Sequence, residues 1–341
     1  MRLIKSLFAL VFVAAIIAGA ALAYGWFWLQ AEVAKPGPNL SDTPFVVERG
    51  EGLASVGARL ETLGLIEDQR VLRLQARLDD VESAIKAGSY ILPARASVLD
   101  ILEQLVEGDV IQYRLTIPEG LTTAQILRRV AADENLVGDM PERVFEEGVL
   151  LPDTYIFGAG TTRTQFIDRM EAAQDALLTE LWDKRQEDLP FSTPYEAVIL
   201  ASVVEKETAG ADERPLVAGL FVGRLKRGMR LESDPTIIYG VSGGEPLYNR
   251  QGQRRTLYRS EIDRKTDWNT YQIDGLPKTP ICNPGRDAIA AVLNPPETDY
   301  VFFVADGKGG HLFAKTYAEH QRNVAAYRRF EREEIARERE N

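Results

Sequence analysis

"AVILASVVEKETAG", residues 197–210, sets eight small or apolar residues, Ala197–Val204, directly against Glu205, Lys206 and Glu207. The apolar run predicts a core helix, and two carboxylates at its end admit two readings. Either they are the solvated tip of that helix, or one of them is an acid held in a dry pocket. At about 100° per residue, Glu205 falls on the stripe of Val198 and Ala201, and Glu207 falls about 200° further round. The two therefore do not form a side-by-side pair. Glu205 extends the apolar stripe, where burial disfavours the charged form. It is expected to keep its proton near neutral pH and to protonate a leaving oxygen. The alternative is a helix-end residue paired with Lys or Arg, because structural ion pairs also perturb acids. Periodicity alone leaves both open.

Around this helix the chain reads as α+β. Thr193, Pro194 and Glu196 form a T-x-x-E capping box with proline at the first helical position, which starts the helix carrying Glu205. A second helix opens near Asp212 and stops at Gly228, with Leu216, Val217, Leu220, Phe221 and Leu225 on one face. A third starts at Asn283-Pro284 and is closed by Pro295-Pro296. "YVFFVADGKGGHLFA" (300–314) predicts a hairpin, and Thr316 with Glu319 caps a last helix that runs into a charged end. Upstream, "FVVERGEGLASVGARLETLGLI" (45–66) predicts a strand, a glycine turn and an amphipathic helix. A second helix follows around Val71–Leu78, then a strand at "SYILP" (89–93) and a helix between Ser97 and Gly108. "YRLTIPEGLTTAQILRRVAA" (113–132) repeats strand, glycine turn and helix. Both copies carry Glu-Gly-Leu, at 51–53 and 119–121, which is a weak internal duplication or a chance match.

The N-terminus is the strongest compositional feature. Arg2 and Lys5 precede an uncharged run from Ser6 to Ala31, long enough to cross a bilayer, with Trp26 and Trp28 at its far end. A retained anchor through residues 7–29 is expected. The rival is a cleaved signal peptide, for which "AALAYG" offers small residues. The basic flank puts the N-terminus in the cytoplasm and the body outside it, on the cytoplasmic membrane. "AEVAKPGPNLSDTP" (31–44) is a proline-rich linker. The expected divisions are 1–31 (cytoplasmic end and anchor), 32–44 (linker) and 45–110 (first small α/β subdomain). They continue with 111–190 (second small β-α region and connector), 191–330 (mixed helical/β catalytic domain) and 331–341 (charged tail).

The net charge of −11 argues against nucleic acid as a partner. Cys282 is the only cysteine, and two histidines without CxxC or HExxH point to no metal; no cofactor is expected. "GVSGG" (240–244) fits G-x-S-x-G, but a polar loop follows Ser242 where that motif requires an apolar helix, so it reads as a turn. His311 follows "GKGG" and either positions a substrate or is structural. Trp268, Tyr271, Tyr239, Tyr248 and Tyr258 crowd one region, where they either stack on sugar rings or simply pack. Asn269 and Asn283 could bond hydroxyl groups.

"ASVVEKET", "GMRLESDPTIIYG", "NTY…GLP", "NPGRDAI" and "YVFFVADGKGGHLFAKTYAEH" together resemble the endolytic murein transglycosylases, the YceG-like proteins. "AGSYIL", "IPEGLT" and "LPDTY" (151–155) add to the match, which spans roughly residues 45 to 330. The resemblance implies a single-pass membrane protein with a LysM-like subdomain ahead of its catalytic domain. It implies cleavage of the β-1,4 bond between MurNAc and GlcNAc in nascent peptidoglycan strands, leaving 1,6-anhydro-MurNAc ends. It places the catalytic glutamate at the first Glu of "VEKET", here Glu205; on such a substrate Asp234, Tyr239, Asn269, Tyr271, Asn283 and His311 are our candidates for holding the glycan. A role in ending strand growth implies contact with peptidoglycan synthases. Departures at "EGVLLPDTY" (147–155), "DWNTY" (267–271) and "GLPK" (275–278) bear on subsite detail and not on the reaction. Two other classes stay open: a membrane-tethered glycan binder without turnover, and a muramidase that uses water.

Overall fold

The computed structural model describes residues 2–340 apart from 49, 109, 208, 209 and 211. The chain divides into two compact units. The first runs to Tyr113 and takes in Ile156–Gly160; the second comprises Arg114–Tyr155 and the chain from Thr161 onward.

The first unit opens with α1 (Arg2–Val33). Its stretch Leu10–Val33, 24 residues, is long and apolar enough to cross a membrane. The end of the helix packs into this unit, with Leu29 and Val33 buried in its core. β1 (Thr43–Val47), α2 (Leu53–Thr62), α3 (Gln69–Leu78) and β2 (Gly88–Leu92) follow, with β1 and β2 antiparallel and Phe45 opposite Tyr90. α4 (Val98–Glu107) starts on a Ser97–Asp100 capping box and stops at Gly108, whose φ of 73° suits glycine. Val56, Leu60, Leu72, Tyr90 and Leu105 fill the core these elements share.

β3 (Gln112–Thr116), α5 (Thr123–Ala131) and β4 (Thr154–Gly158) come next. β3 and β4 form a two-stranded sheet, and the division between the units falls within these strands. The duplicated Glu-Gly-Leu does not extend to backbone conformation: Gly52 has φ −86°, whereas Gly120 has φ 75°.

The second unit continues with α6 (Arg163–Asp183), α7 (Pro194–Glu207), α8 (Arg214–Lys226), α9 (Asp234–Ser242), the short α10 (Arg259–Ile262) and α11 (Arg286–Leu293). β5 (Phe302–Ala305) and β6 (His311–Ala314) form the predicted antiparallel hairpin, and α12 (Tyr317–Glu340) ends the chain on its Thr316–Glu319 cap. The Thr193–Glu196 box starts α7 as expected. Leu200, Val204, Phe221, Ile289 and Val292 belong to the core in which α7, α8 and α11 pack. Residues 114–155 and 161–190 share this unit with the chain from 191 onward.

Candidate active site

All eight residues from Ala197 to Val204 are buried. α7 is thus apolar on every side and not along one stripe, so the helical wheel cannot sort Glu205 inward and Glu207 outward. Both carboxylates turn into protein, and each meets a different set of partners.

Glu205 has a side chain only 7% exposed. Its Oε2 accepts the Gly285 N–H at 3.0 Å, and its Oε1 lies 3.6 Å from Nη2 of Arg214, the first residue of α8. The same guanidinium faces Glu119 at 3.6 Å and Asp287 at 3.5 Å, so one buried cation gathers three carboxylates. Glu119 sits in the turn before α5. There the Gly120 N–H bonds Asn283 O at 3.0 Å and the Asn283 N–H bonds Leu121 O at 2.8 Å, which stitches the turn to the segment before α11. The Glu119 carboxyl rests on the Cα of Gly285, where any Cβ would collide with it. Burial, and then the charge of Glu205, push the Glu119 carboxyl up, against the pull of Arg214. Glu119, Leu151, Pro152, Asp153, Leu177 and Arg286 line a cleft of about 450 Å³.

Glu207 is half-buried at the last turn of α7. The Ser233 hydroxyl donates to its Oε1 at 2.5 Å, and no hydrogen bond reaches Oε2 among the described residues. Burial first, then the charge of Asp234, raise this carboxyl to about 7, while the Ser233 bond and His311 act the other way. The C-terminal end of a helix also disfavours an anion. Ser233 is fixed by its N–H to Thr270 Oγ1 at 2.9 Å, and the next residue, Asp234, accepts the Tyr271 hydroxyl at 2.8 Å. Burial and the Asp234 charge hold that phenol protonated well above its ordinary range.

A third carboxyl, Glu147, joins the surrounding segments. It accepts the Thr123 N–H at 2.6 Å, Asn283 Nδ2 at 3.1 Å and the Tyr239 hydroxyl at 3.0 Å. Burial pushes it up, and the Thr123 and Tyr239 bonds pull it down.

The structure thus brings Asp234 and Tyr271 to Glu207. His311 donates its N–H to Glu213 and holds Glu213 Oε2 on Nδ1 at 2.7 Å, one residue before Arg214. Asn269 and Asn283 are fully buried. The Asn269 amide donates to Arg264 O at 2.7 Å and Ile262 O at 3.0 Å; the Asn283 side chain bonds Leu150, Leu121, Thr123 and Glu147. These two amides are used within the fold. Tyr239 gives its hydroxyl to Glu147 and its ring to an edge contact with Trp268, whereas Tyr248 and Tyr258 are exposed. Ser242 ends α9 with Oγ 2.9 Å from Ile238 O and 2.6 Å from Glu245 O, consistent with a turn residue. Sequence reasoning missed Arg214, Glu119, Glu147 and the role of Ser233. The Ser-Asp-Pro that opens α9 was a legible helix start, but nothing local says that its serine reaches Glu207.

Comparison with known proteins places this geometry in context. The model of the YceG-like family matches residues 45–326. An endolytic murein transglycosylase of Streptococcus pneumoniae is 30% identical over 327 residues, covering 82% of this chain and 57% of the relative. One from Bacillus subtilis is 25% identical, covering 82% of this chain and 83% of the relative. The chain therefore spans little more than half the length of the pneumococcal relative. A crystal structure of a yceG-like protein from Listeria monocytogenes superposes with a TM-score of 0.50 at 25% identity, over 83% of this chain and 98% of that one.

Proposed function

Because this chain belongs to the YceG-like family, we propose that it is a lytic transglycosylase of peptidoglycan. It cleaves MurNAc-β-1,4-GlcNAc bonds within strands and leaves 1,6-anhydro-MurNAc ends. The names of its relatives support the substrate. The observation that carries the chemistry is Glu207: a half-buried carboxyl raised to about 7, with one oxygen held by Ser233 and the other free of hydrogen bonds among the described residues. Such a group still holds its proton in a large share of molecules at neutrality and is matched to general acid work.

Ordinary glycosidases use two carboxylates. One suffices when the substrate supplies its own nucleophile. The Glu207 proton passes to the glycosidic oxygen as the C1–O bond breaks, and the MurNAc N-acetyl carbonyl steadies C1. The carboxylate then takes the proton of the C6 hydroxyl as O6 bonds C1, so the acid is regenerated and no water is consumed. Sequence reasoning gave this role to Glu205. Glu205 stays the rival acid; because its oxygens face Gly285 N–H and Arg214, we give it the anchoring of the end of α7. Asp234 and Tyr271 would orient the sugar beside the acid. The β1–α2–α3–β2 order supports the LysM-like, glycan-gripping reading of residues 45–110, the Leu10–Val33 stretch supports a single-pass anchor, and the basic Arg2 and Lys5 ahead of it favour a body outside the cytoplasm. A role in ending strand elongation next to peptidoglycan synthases fits this placement.

Cleavage of uncrosslinked glycan strands by Glu207→Gln and Glu205→Gln tests the assignment. Glu207→Gln abolishes cutting while glycan binding persists, and Glu205→Gln keeps a reduced rate. The opposite ranking returns the acid role to Glu205, and full activity in both variants removes the proposed chemistry.

A further inference from the structure

In a chain of net charge −11, residues 249–265 carry six basic side chains against two carboxylates. This loop leaves α9 at its C-terminal end and returns at Thr266, whose hydroxyl lies 2.8 Å from where a Cβ on Gly240 would stand. It then runs into Thr270 and Tyr271, the residues that hold Ser233 and Asp234. The return end of the loop therefore runs into the Glu207 site, and its other end is tied to α9, the helix that Asp234 opens.

The loop is organised, not a loose charged run. Asn249 Oδ1 accepts the N–H groups of Gln251 and Gln253 at 3.0 and 2.9 Å, Gly252 takes a positive φ of 75°, and Tyr248 bridges Arg254. Arg255 forks onto Glu261 at 2.7 and 2.8 Å and lies 3.9 Å over the Tyr258 ring. Arg259 pairs with Asp263 at 2.9 Å. The two carboxylates are thereby occupied. Arg250, Arg254 and Lys265 are exposed and join no ion pair among the described residues, and the Tyr248 and Tyr258 rings stand 57% and 52% exposed beside them.

The geometry points to this loop as a specificity element that binds the free carboxylates of the stem peptides on the glycan. The inference rests on the peptidoglycan reading above. A neutral glycan backbone gives no reason for a cluster of free cations, whereas stem peptides carry several carboxylates on every MurNAc. Arg forks match carboxylates bidentately. The loop's continuity with the Glu207 site places those cations on the same polymer that the acid would cut, which favours stem peptides over an unrelated anionic surface.

The test compares the protein with an Arg250→Gln/Arg254→Gln/Lys265→Gln variant on uncrosslinked strands bearing stem peptides and on strands stripped of them by an amidase, with the lactyl carboxylates that stripping exposes then capped as methylamides. Binding to both strands is measured in parallel on the Glu207→Gln background, at low and high salt. The wild type is expected to prefer peptide-bearing strands by on the order of fivefold in both cutting and binding. The triple variant is expected to treat both strands alike, with unchanged activity on stripped ones, and high salt is expected to erase the wild-type preference. Equal wild-type handling of both strands, or a preference kept by the variant, overturns the inference. If neither strand is cut, the lyase reading fails while the binding comparison still decides this one. Should the triple variant fold poorly, Arg250→Gln alone, at the exposed turn, is scored on the same preference.

Discussion

Replacing Glu207 by Gln should change how the fold responds to pH, and the size of the change follows from the structure. The carboxyl rises from 4.5 to about 7 in the folded protein. Below the lower value both folded and unfolded chains hold the proton, and the group contributes no pH dependence. Between the two values the unfolded chain ionises while the folded one keeps its proton, so stability falls as pH rises. Above about 7 the loss is complete and flat, and a rise of about 2.5 pH units corresponds to about 3 kcal/mol. Gln keeps the shape and cannot ionise. Urea unfolding of the protein at steps from about pH 4.5 to 8, with linear extrapolation, gives both stability curves. Glu119 and Glu147, also pushed up, slope the same way in both proteins and cancel in the difference. The variant should gain on the wild type by about 3 kcal/mol across that window. A difference that stays flat to within about 1 kcal/mol would show that Glu207 is not held as a neutral acid, and the reasoning from burial would fail.

Other changes probe the neighbouring elements. Arg214→Met strands Glu205 and Glu119 without their shared cation, and calorimetry should find a loss of about 3 kcal/mol, as for other broken buried pairs. Gly285→Ala drives a methyl into the Glu119 carboxyl and should lower the melting temperature, while adding Glu119→Ala should restore most of it; strict additivity of the two would refute that contact. Ser242→Ala should leave glycan cutting within about twofold of wild type, because its hydroxyl only caps α9.

Much of the scaffold was legible because local chemistry set it. The Thr193–Glu196 and Thr316–Glu319 boxes, the Ser97 cap with its Gly108 stop, and the Gly-rich hairpin at 302–314 all form where their residues dictate. The candidate site was legible as a place, whereas the partners of its side chains were not. Helical periodicity found α7 and its carboxylates, but it assumes one buried face. α7 is covered all round, so the face Glu207 occupies was decided by Ser233, Thr270 and Tyr271, which are 26 to 64 positions away in the chain. The same limit applies to Asn269 and Asn283. Their polar type suggested ligand binding, but only tertiary structure reveals that carbonyls and a buried carboxylate consume their amides. Nothing local in the sequence marks Arg214, although it is the cation that organises three acids.

Mass analysis of the fragments released from uncrosslinked glycan strands by the wild type, Glu205→Gln and Glu207→Gln tests the central claim most directly. The account predicts wild-type ends one water lighter than a reducing sugar, the same ends at lower yield from Glu205→Gln, and no fragments from Glu207→Gln. Hydrated reducing ends, or wild-type release of anhydro ends by Glu207→Gln, would contradict it.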